Sequence, residues 1–97
     1  MTRRPGKSKG PAVAPSTVAE VLEILRADNP RARAGDLAMY ADAFMEYREA
    51  QDNIAKNGAI AMHPRTGAPI ENPYLRVRNG AAAVLRKFRL VSDKLWP

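Results

Sequence analysis

Two residue groups could bind a nucleotide or a metal, and both lack the partners that such chemistry needs. Gly6-Lys7-Ser8 matches the end of a phosphate-binding loop, but the first glycine of that loop would fall at position 1, which is Met. His63 precedes Pro64 and is the single histidine, without companions at the spacing of a metal site. We therefore interpret the first group as part of a solvated basic tail and His63 as a turn residue.

Four carboxylates near the middle of the chain could in principle form an acid–base or two-metal cluster. They are Asp42, Glu46, Glu49 and Asp52. A catalytic set also needs a complementary acid, base or nucleophile, and the sequence places no His, Lys or Cys on the same helical face. We interpret them as an acidic stripe that faces solvent or a neighbour. The sequence thus predicts a protein that is not an enzyme and binds no cofactor or metal.

The positive charges form a more informative pattern. The 97 residues carry a net charge of +6, divided into +4 over residues 1–34, −3 over 35–57 and +5 over 58–97. An acidic segment between two basic ones is unlike a uniformly charged solubility surface. It indicates a polyanionic partner such as DNA, RNA or an acidic protein face.

Two basic segments supply the candidate contacts to double-stranded DNA. One is the N-terminal segment, and the other is the last helix, which has no acidic residue between Glu71 and Asp93. For the last helix, plain solubility is the alternative interpretation. The predicted DNA-binding residues are Arg3, Arg4, Lys7, Lys9, Arg76, Arg78, Arg86, Lys87 and Arg89.

Residues 1–16 predict a flexible, disordered basic arm, and residues 17–97 predict a helical domain for oligomerisation and DNA recognition. The arm is rich in Pro and Gly and has four cations and no acid, so it buries too little surface to offset the entropy of ordering. The domain opens with a capping box at Thr17 and Glu20. Its first helix has apolar residues at helical spacing and stops near Asp28-Asn29-Pro30.

Two further helices and a hairpin complete the predicted domain, which is mainly α. Asp36 is the expected N-cap of the second helix, which Asn57-Gly58 ends. Residues 59–71 predict a small β-hairpin or an ordered loop, in which Pro69 favours an edge position. Asn72-Pro73 predicts the start of a last helix that runs to about Phe88 or Leu90.

The supply of large apolar side chains is small, which predicts self-association. Leu, Ile, Val and Phe together number 19, and the chain has no cysteine for disulfides. A 3–4 spaced seam on the second helix and a bulk-free run on the last one predict helix contacts, with a closed ring as the expected oligomer. The interface residues expected are Leu37, Tyr40, Phe44, Tyr47, Gly80 and Ala82, although aromatic residues at this spacing more often form a core.

The C-terminal end carries two large apolar residues, Leu95 and Trp96. They predict either a docking surface for a partner protein or packing against the chain's own helices or the next subunit. No apolar run is long enough to span a membrane or to serve as a signal peptide. We therefore expect an intracellular, soluble protein without a membrane partner.

The order of these features resembles the small terminase subunits of tailed phages. The resemblance spans about Leu22 to Ser92. Its most specific motifs are a helix with Tyr-x-x-Ala repeats, a stop at Lys56-Asn-Gly58 and an Asn72-Pro73-Tyr-Leu helix start. Further motifs are Asn29-Pro30-Arg31 and Leu85-x-x-Phe88-x-Leu90-x-Ser92.

The resemblance implies a ring-forming, non-enzymatic helical protein in the host cytoplasm. Such a protein would recognise the packaging start of the viral genome and deliver it to the large terminase subunit, whose ATPase and nuclease do the chemistry. Two alternatives remain: a basic helical DNA-binding regulator, and a structural adaptor of a phage-like particle. A compact helix-turn-helix, which a regulator would normally show, is not evident, because 13 hairpin-like residues separate the two best helices.

Overall fold

Three helices and one two-stranded hairpin make up the part of the chain that the computed structural model describes, residues 15–96. The elements are α1 (Val18–Asp28), α2 (Ala34–Asn57), β1 (Ile60–Met62), β2 (Pro69–Glu71) and α3 (Tyr74–Leu85). The mainly α architecture, with the hairpin between the last two helices, confirms that prediction. The predicted flexible arm lies almost entirely outside the described residues.

Helix α1 begins with the predicted capping box. The backbone N–H of Glu20 donates to Thr17 Oγ1 at 3.1 Å, while the Glu20 carboxylate accepts from the backbone N–H groups of Ser16 and Thr17. The hydrogen bonds that the Glu20 carboxylate accepts, first from the Ser16 backbone and then from the Ser16 and Thr17 hydroxyls, lower the pKa of Glu20 below its ordinary value of 4.5. The helix ends as expected at Asn29, whose N–H donates to the carbonyl of Leu25.

Helix α2 begins earlier than the sequence predicts. Arg33 occupies the N-cap without a side-chain capping bond, and the N–H of Leu37 donates to the Arg33 carbonyl at 3.1 Å. Asp36, the expected N-cap, instead lies in the first turn, 3.9 Å from the Arg33 guanidinium. A carboxylate in the first turn interacts favourably with the helix dipole, so Asp36 stabilises the start of α2 without being its N-cap. The predicted end is confirmed at Gly58, with φ of 83°.

Strands β1 and β2 pair in antiparallel register, with Ala61 opposite Ile70, which confirms the hairpin. His63 has the predicted turn role, since its Nδ1 accepts hydrogen bonds from the backbone N–H groups of Arg65 and Thr66. Gly67 takes a φ of 73° in the same turn.

Asn72 fixes the hairpin and α3 to the end of α2. Its side chain is buried and donates to Asn53 Oδ1 at 3.0 Å and to the Gly58 carbonyl at 2.8 Å. Its Oδ1 accepts from the backbone N–H of Tyr74 at 2.9 Å, so it caps α3 from the residue before Pro73. The prediction that Asn72 caps the last helix is thus confirmed, and the structure shows in addition that Asn72 contacts the end of α2.

Helix α3 ends at Leu85, not at Phe88 or Leu90. The chain turns after Arg86 and crosses back over α1 and α2 without regular secondary structure. The Asn29 side chain holds this segment, because its Nδ2 donates to the Val91 carbonyl at 2.8 Å and its Oδ1 accepts from the Val91 N–H at 2.7 Å. A helix through Leu90 would not present both backbone groups of Val91 to a single amide.

The core lies between α1, α2 and the returning C-terminal segment. Its buried members are Val21, Leu25, Leu37, Tyr40, Ala41, Phe44 and Leu95. Phe44, Leu25 and Val21 are the largest side chains that are fully buried. This core is small, in agreement with the small number of large apolar residues in the sequence.

Replacing Asn72 with Ala should lower the free energy of unfolding by about 1 to 2 kcal/mol, since a helix cap is lost and the hydrogen bonds from a buried amide to Asn53 and to the Gly58 carbonyl are removed. Chemical denaturation measures the change. Asn79→Ala, on the exposed surface of α3, is the matched control and should cost less than about 0.5 kcal/mol. Equal stability of the two variants would contradict this role for Asn72.

Candidate nucleic-acid interface

The first two cations of the candidate interface lie on α3 itself. Arg76 is exposed, whereas Arg78 is half-buried and its guanidinium donates to Gln51 Oε1 on α2 at 3.3 Å. Helix α3 packs mainly against α2, with Ala81 buried between them. Arg78 therefore contributes to the contact between the two helices as well as to the charge of the surface.

The other three cations lie beyond α3. Arg86 is the C-cap residue, and Lys87 and Arg89 follow in the turn and the returning segment. All three are exposed. The prediction that Lys87 and Arg89 belong to the last helix is wrong, because α3 ends at Leu85. The four remaining predicted cations, Arg3, Arg4, Lys7 and Lys9, lie outside the described residues.

Within residues 15–96, the cations of α3 and of the segment that follows it form no ion pair with a carboxylate. The two ion pairs of this range join Arg33 to Asp36 at 3.9 Å and Lys94 to Asp28 at 3.3 Å. Neither includes a cation of residues 76–89. These charges are therefore available to a polyanion rather than committed to carboxylates of the described chain.

The acidic stripe lies on α2, along a broad open groove of about 810 Å³. Its four carboxylates, Asp42, Glu46, Glu49 and Asp52, are all exposed. Among the described residues, no group of three His, Cys, Asp or Glu side chains could hold a metal ion. The chain thus separates its charges, with carboxylates along α2 and cations at the end of α3 and beyond.

The aromatic seam of α2 is largely used inside one chain. Leu37, Tyr40 and Phe44 are buried in the core. Tyr47 is half-buried, and its ring meets that of Trp96 edge-on at 5.5 Å. In this conformation the three core residues have little area left for a second copy, so an interface role for the seam stays a prediction.

Gly80 and Ala82 lie on α3 in different surroundings. A methyl group added at Gly80 would have no neighbour within 4 Å, so packing within the chain does not require a glycine there. Ala82 is half-buried. Open space beside Gly80 leaves a bulk-free surface on which a second helix could lie closely.

Leu95 and Trp96 pack against the chain's own helices. Leu95 is buried, and Trp96 meets the Phe44 ring edge-on at 4.7 Å. Trp96 Nε1 donates to the Tyr40 hydroxyl at 3.1 Å, and that hydroxyl lies 3.1 Å from Ser92 Oγ. Of the two interpretations, packing within the chain accounts for both residues here.

A small apolar pocket nevertheless opens beside Trp96. It has a volume of about 290 Å³, with aromatic walls and a polar rim. Its lining residues are Phe44, Tyr47, Arg48, Gln51, Asp52, Leu95 and Trp96. The exposed part of Trp96 therefore borders a concave surface of a size that accepts one apolar side chain.

Sequence reasoning missed the structural roles of Arg48 and Asn29. The Arg48 guanidinium donates to the carbonyl of Pro15 and lies 5.4 Å from the centre of the Phe44 ring. The spacing of four residues between Phe44 and Arg48 was the available signal, because it places a cation over a ring on one helical face. Asn29 had no such signal, since its partner Val91 is 62 residues away.

No helix within the described residues is long and apolar enough to cross a membrane. The family model described as the small subunit of phage terminase matches residues 18–89. That range contains all five elements and every cation from Arg76 to Arg89. No curated protein and no solved structure gives a significant match.

Proposed function

Since this chain belongs to the phage terminase small-subunit family, we propose that it binds viral genome DNA at the packaging start and delivers it to the large terminase subunit. The family assignment gives the chain a role in phage DNA packaging. The family match across all five elements carries the proposal. The chain itself performs no catalysis and acts in the cytoplasm of the infected host.

The cations on α3 and just after it form the part of the described chain that is best suited to bind DNA. Arg86, Lys87 and Arg89 are exposed within four consecutive residues just after α3, and Arg76 is exposed on α3 itself. Phosphates accept hydrogen bonds from both Arg and Lys, and such contacts position a protein without reading base sequence. The N-terminal cations Arg3, Arg4, Lys7 and Lys9 extend this phosphate contact in the proposal.

Neutralising Arg86, Lys87 and Arg89 together should weaken DNA binding and make it less sensitive to salt. Each phosphate contact releases counterions, so the slope of log affinity against log salt should fall by about one per cation removed. Arg26→Ala, which removes an exposed cation of α1, is the control. Fluorescence anisotropy with duplex DNA measures both variants, and affinity independent of salt would refute the mechanism.

We further propose that the chain acts as a homo-oligomeric ring. The small core and the open surface beside Gly80 support it. Helix–helix contact at the Gly80–Ala83 run buries little bulk but lets two backbones approach closely. In this arrangement Gly80 and Ala82 form the contact, while Tyr47 can contribute only its exposed part.

Gly80→Trp should reduce or abolish assembly, because the bulky ring separates the two helices. Gly80→Ala should raise the free energy of unfolding of one chain by about 0.5 to 1 kcal/mol, since the site is open and helix propensity improves. Native mass spectrometry reports the assembly, with Ala27→Trp on exposed α1 as the control. A wild-type monomer of 10.7 kDa at micromolar concentration would exclude the ring.

Contact with the large subunit is assigned to the pocket beside Trp96. An aromatic-walled depression with a polar rim fits one apolar anchor from a partner protein. Because Leu95 and Trp96 also complete the core, their roles in folding and docking must be measured separately. Asp52 offers that separation, since it is exposed at the rim and is absent from the core.

Asp52→Arg should lower the stimulation of the large subunit's ATPase without lowering the melting temperature, because a long cation obstructs the pocket. Glu46→Arg, with the same charge change on the same helix but outside the pocket, is the matched control. Trp96→Ala should lower both stimulation and stability. Unchanged stimulation by both pocket variants would remove this surface from docking, and ATPase or nuclease activity of the small protein alone would falsify its non-enzymatic role.

A further inference from the structure

The outer edge of β1 has backbone groups with no partner among the described residues. The Asn72 N–H donates to the Ala59 carbonyl and the His63 N–H to the Ala68 carbonyl, both at 2.8 Å. In an antiparallel ladder the bonded pairs alternate, so residues 59, 61 and 63 face β2. The N–H and C=O groups of Ile60 and Met62 therefore point away from the hairpin.

The side chains on this edge are apolar and exposed. Ile60 is 61% exposed and Met62 is 65% exposed, and strand geometry places both on one face of the hairpin. The outer edge of β2 differs, because Pro69 has no N–H to donate and Glu71 carries a charge. Proline and charge are the usual protections of an edge strand, and β1 has neither.

We propose that the outer edge of β1 pairs antiparallel with β1 of a second copy of this chain. The two hairpins then form one four-stranded sheet in the order β2-β1-β1-β2. Ile60 lies opposite Met62 of the second copy, and Met62 lies opposite its Ile60. Each of these two pairs exchanges both of its N–H···O=C hydrogen bonds, which satisfies all the outward groups of both residues.

The second copy is the occupant because this edge is self-complementary. Rotation by a two-fold axis beside Ala61 places two donors and two acceptors opposite the same set in reverse order. The four apolar side chains of Ile60 and Met62 then meet on one face of the new sheet. Residues 59–62 contain no charge, so two chains of net charge +6 meet there without like charges in the paired strand.

A contact of this kind closes at two copies, because residues 15–96 of each chain contain one such edge. It requires neither DNA binding nor the helix contact at Gly80, so it stands or fails apart from the proposed function. A ring assembled through Gly80 can include the β1 contact only if each chain pairs, across its β1 edge, with one other chain.

A cysteine at Ala61 tests the pairing directly, since the chain has no native cysteine. The two Ala61 residues would face each other as a non-hydrogen-bonded pair, with Cα atoms about 4.5 Å apart, which suits a disulfide. Mild oxidation of Ala61→Cys should give a covalent dimer of twice 10.7 kDa and no larger species. Persistence of the chain without a cross-link under the same oxidation would overturn the proposal.

Ile70→Cys is the matched control, because Ile70 pairs with Ala61 inside the hairpin. In the four-stranded sheet the two β2 strands are separated by three strand spacings of about 4.8 Å, too far for a disulfide. This variant should therefore form no covalent dimer under the same oxidation. Equal cross-linking of both variants would indicate random collision and would refute the pairing.

Met62→Pro provides a second measurement without cross-linking. It removes an outward N–H that the hairpin does not use, so the fold should persist by circular dichroism while the two-copy species is lost in native mass spectra. Met62→Lys should act in the same way by placing a charge on the edge. Met39→Lys, at an exposed methionine of α2, should leave the mass unchanged. Unchanged mass for both Met62 variants would overturn the proposal.

Discussion

The described structure depends on the return of the C-terminal segment across α1 and α2. One side-chain amide, that of Asn29, pairs with both backbone groups of Val91 and also donates to the carbonyl of Leu25. This ties the end of α1 to a segment 62 residues later. This contact helps to hold Leu95 and Trp96 over Phe44, where the C-terminal segment completes the core that α1 and α2 form.

That closure decides which surfaces remain for partners. The apolar face of α2 covers the chain's own core, and the Tyr40 hydroxyl and Trp96 indole satisfy each other at 3.1 Å. Three of the surfaces that remain exposed differ in kind: the cations after α3, the bulk-free surface at Gly80, and the unpaired edge of β1. Each suits a different partner, because charge, close helix approach and backbone hydrogen bonding are different physical demands.

Much of the fold could be read locally. The Thr17–Glu20 capping box, the Gly58 stop and the Asn72 cap are short-range backbone chemistry, and the structure confirms each of them. The early start of α2 involves neighbouring residues, Arg33 and Asp36, whereas the segment after α3 depends on a distant partner. Helix α3 ends at Leu85, six residues before the Val91 backbone that Asn29 binds, and periodicity within the last helix contains no information about that contact.

The sequence alone determined the fold class, the charge separation and the family resemblance, because these depend on residue type, order and spacing. Tertiary structure alone placed the aromatic seam inside the chain, moved Lys87 and Arg89 off the helix and gave Arg48 its contact with Pro15. It also distinguished the two hairpin edges, since ladder register decides which backbone groups point outward. The physical reason is common to all of these: an apolar or polar group finds its partner through space, and the spacing along one element does not specify which distant group reaches it first.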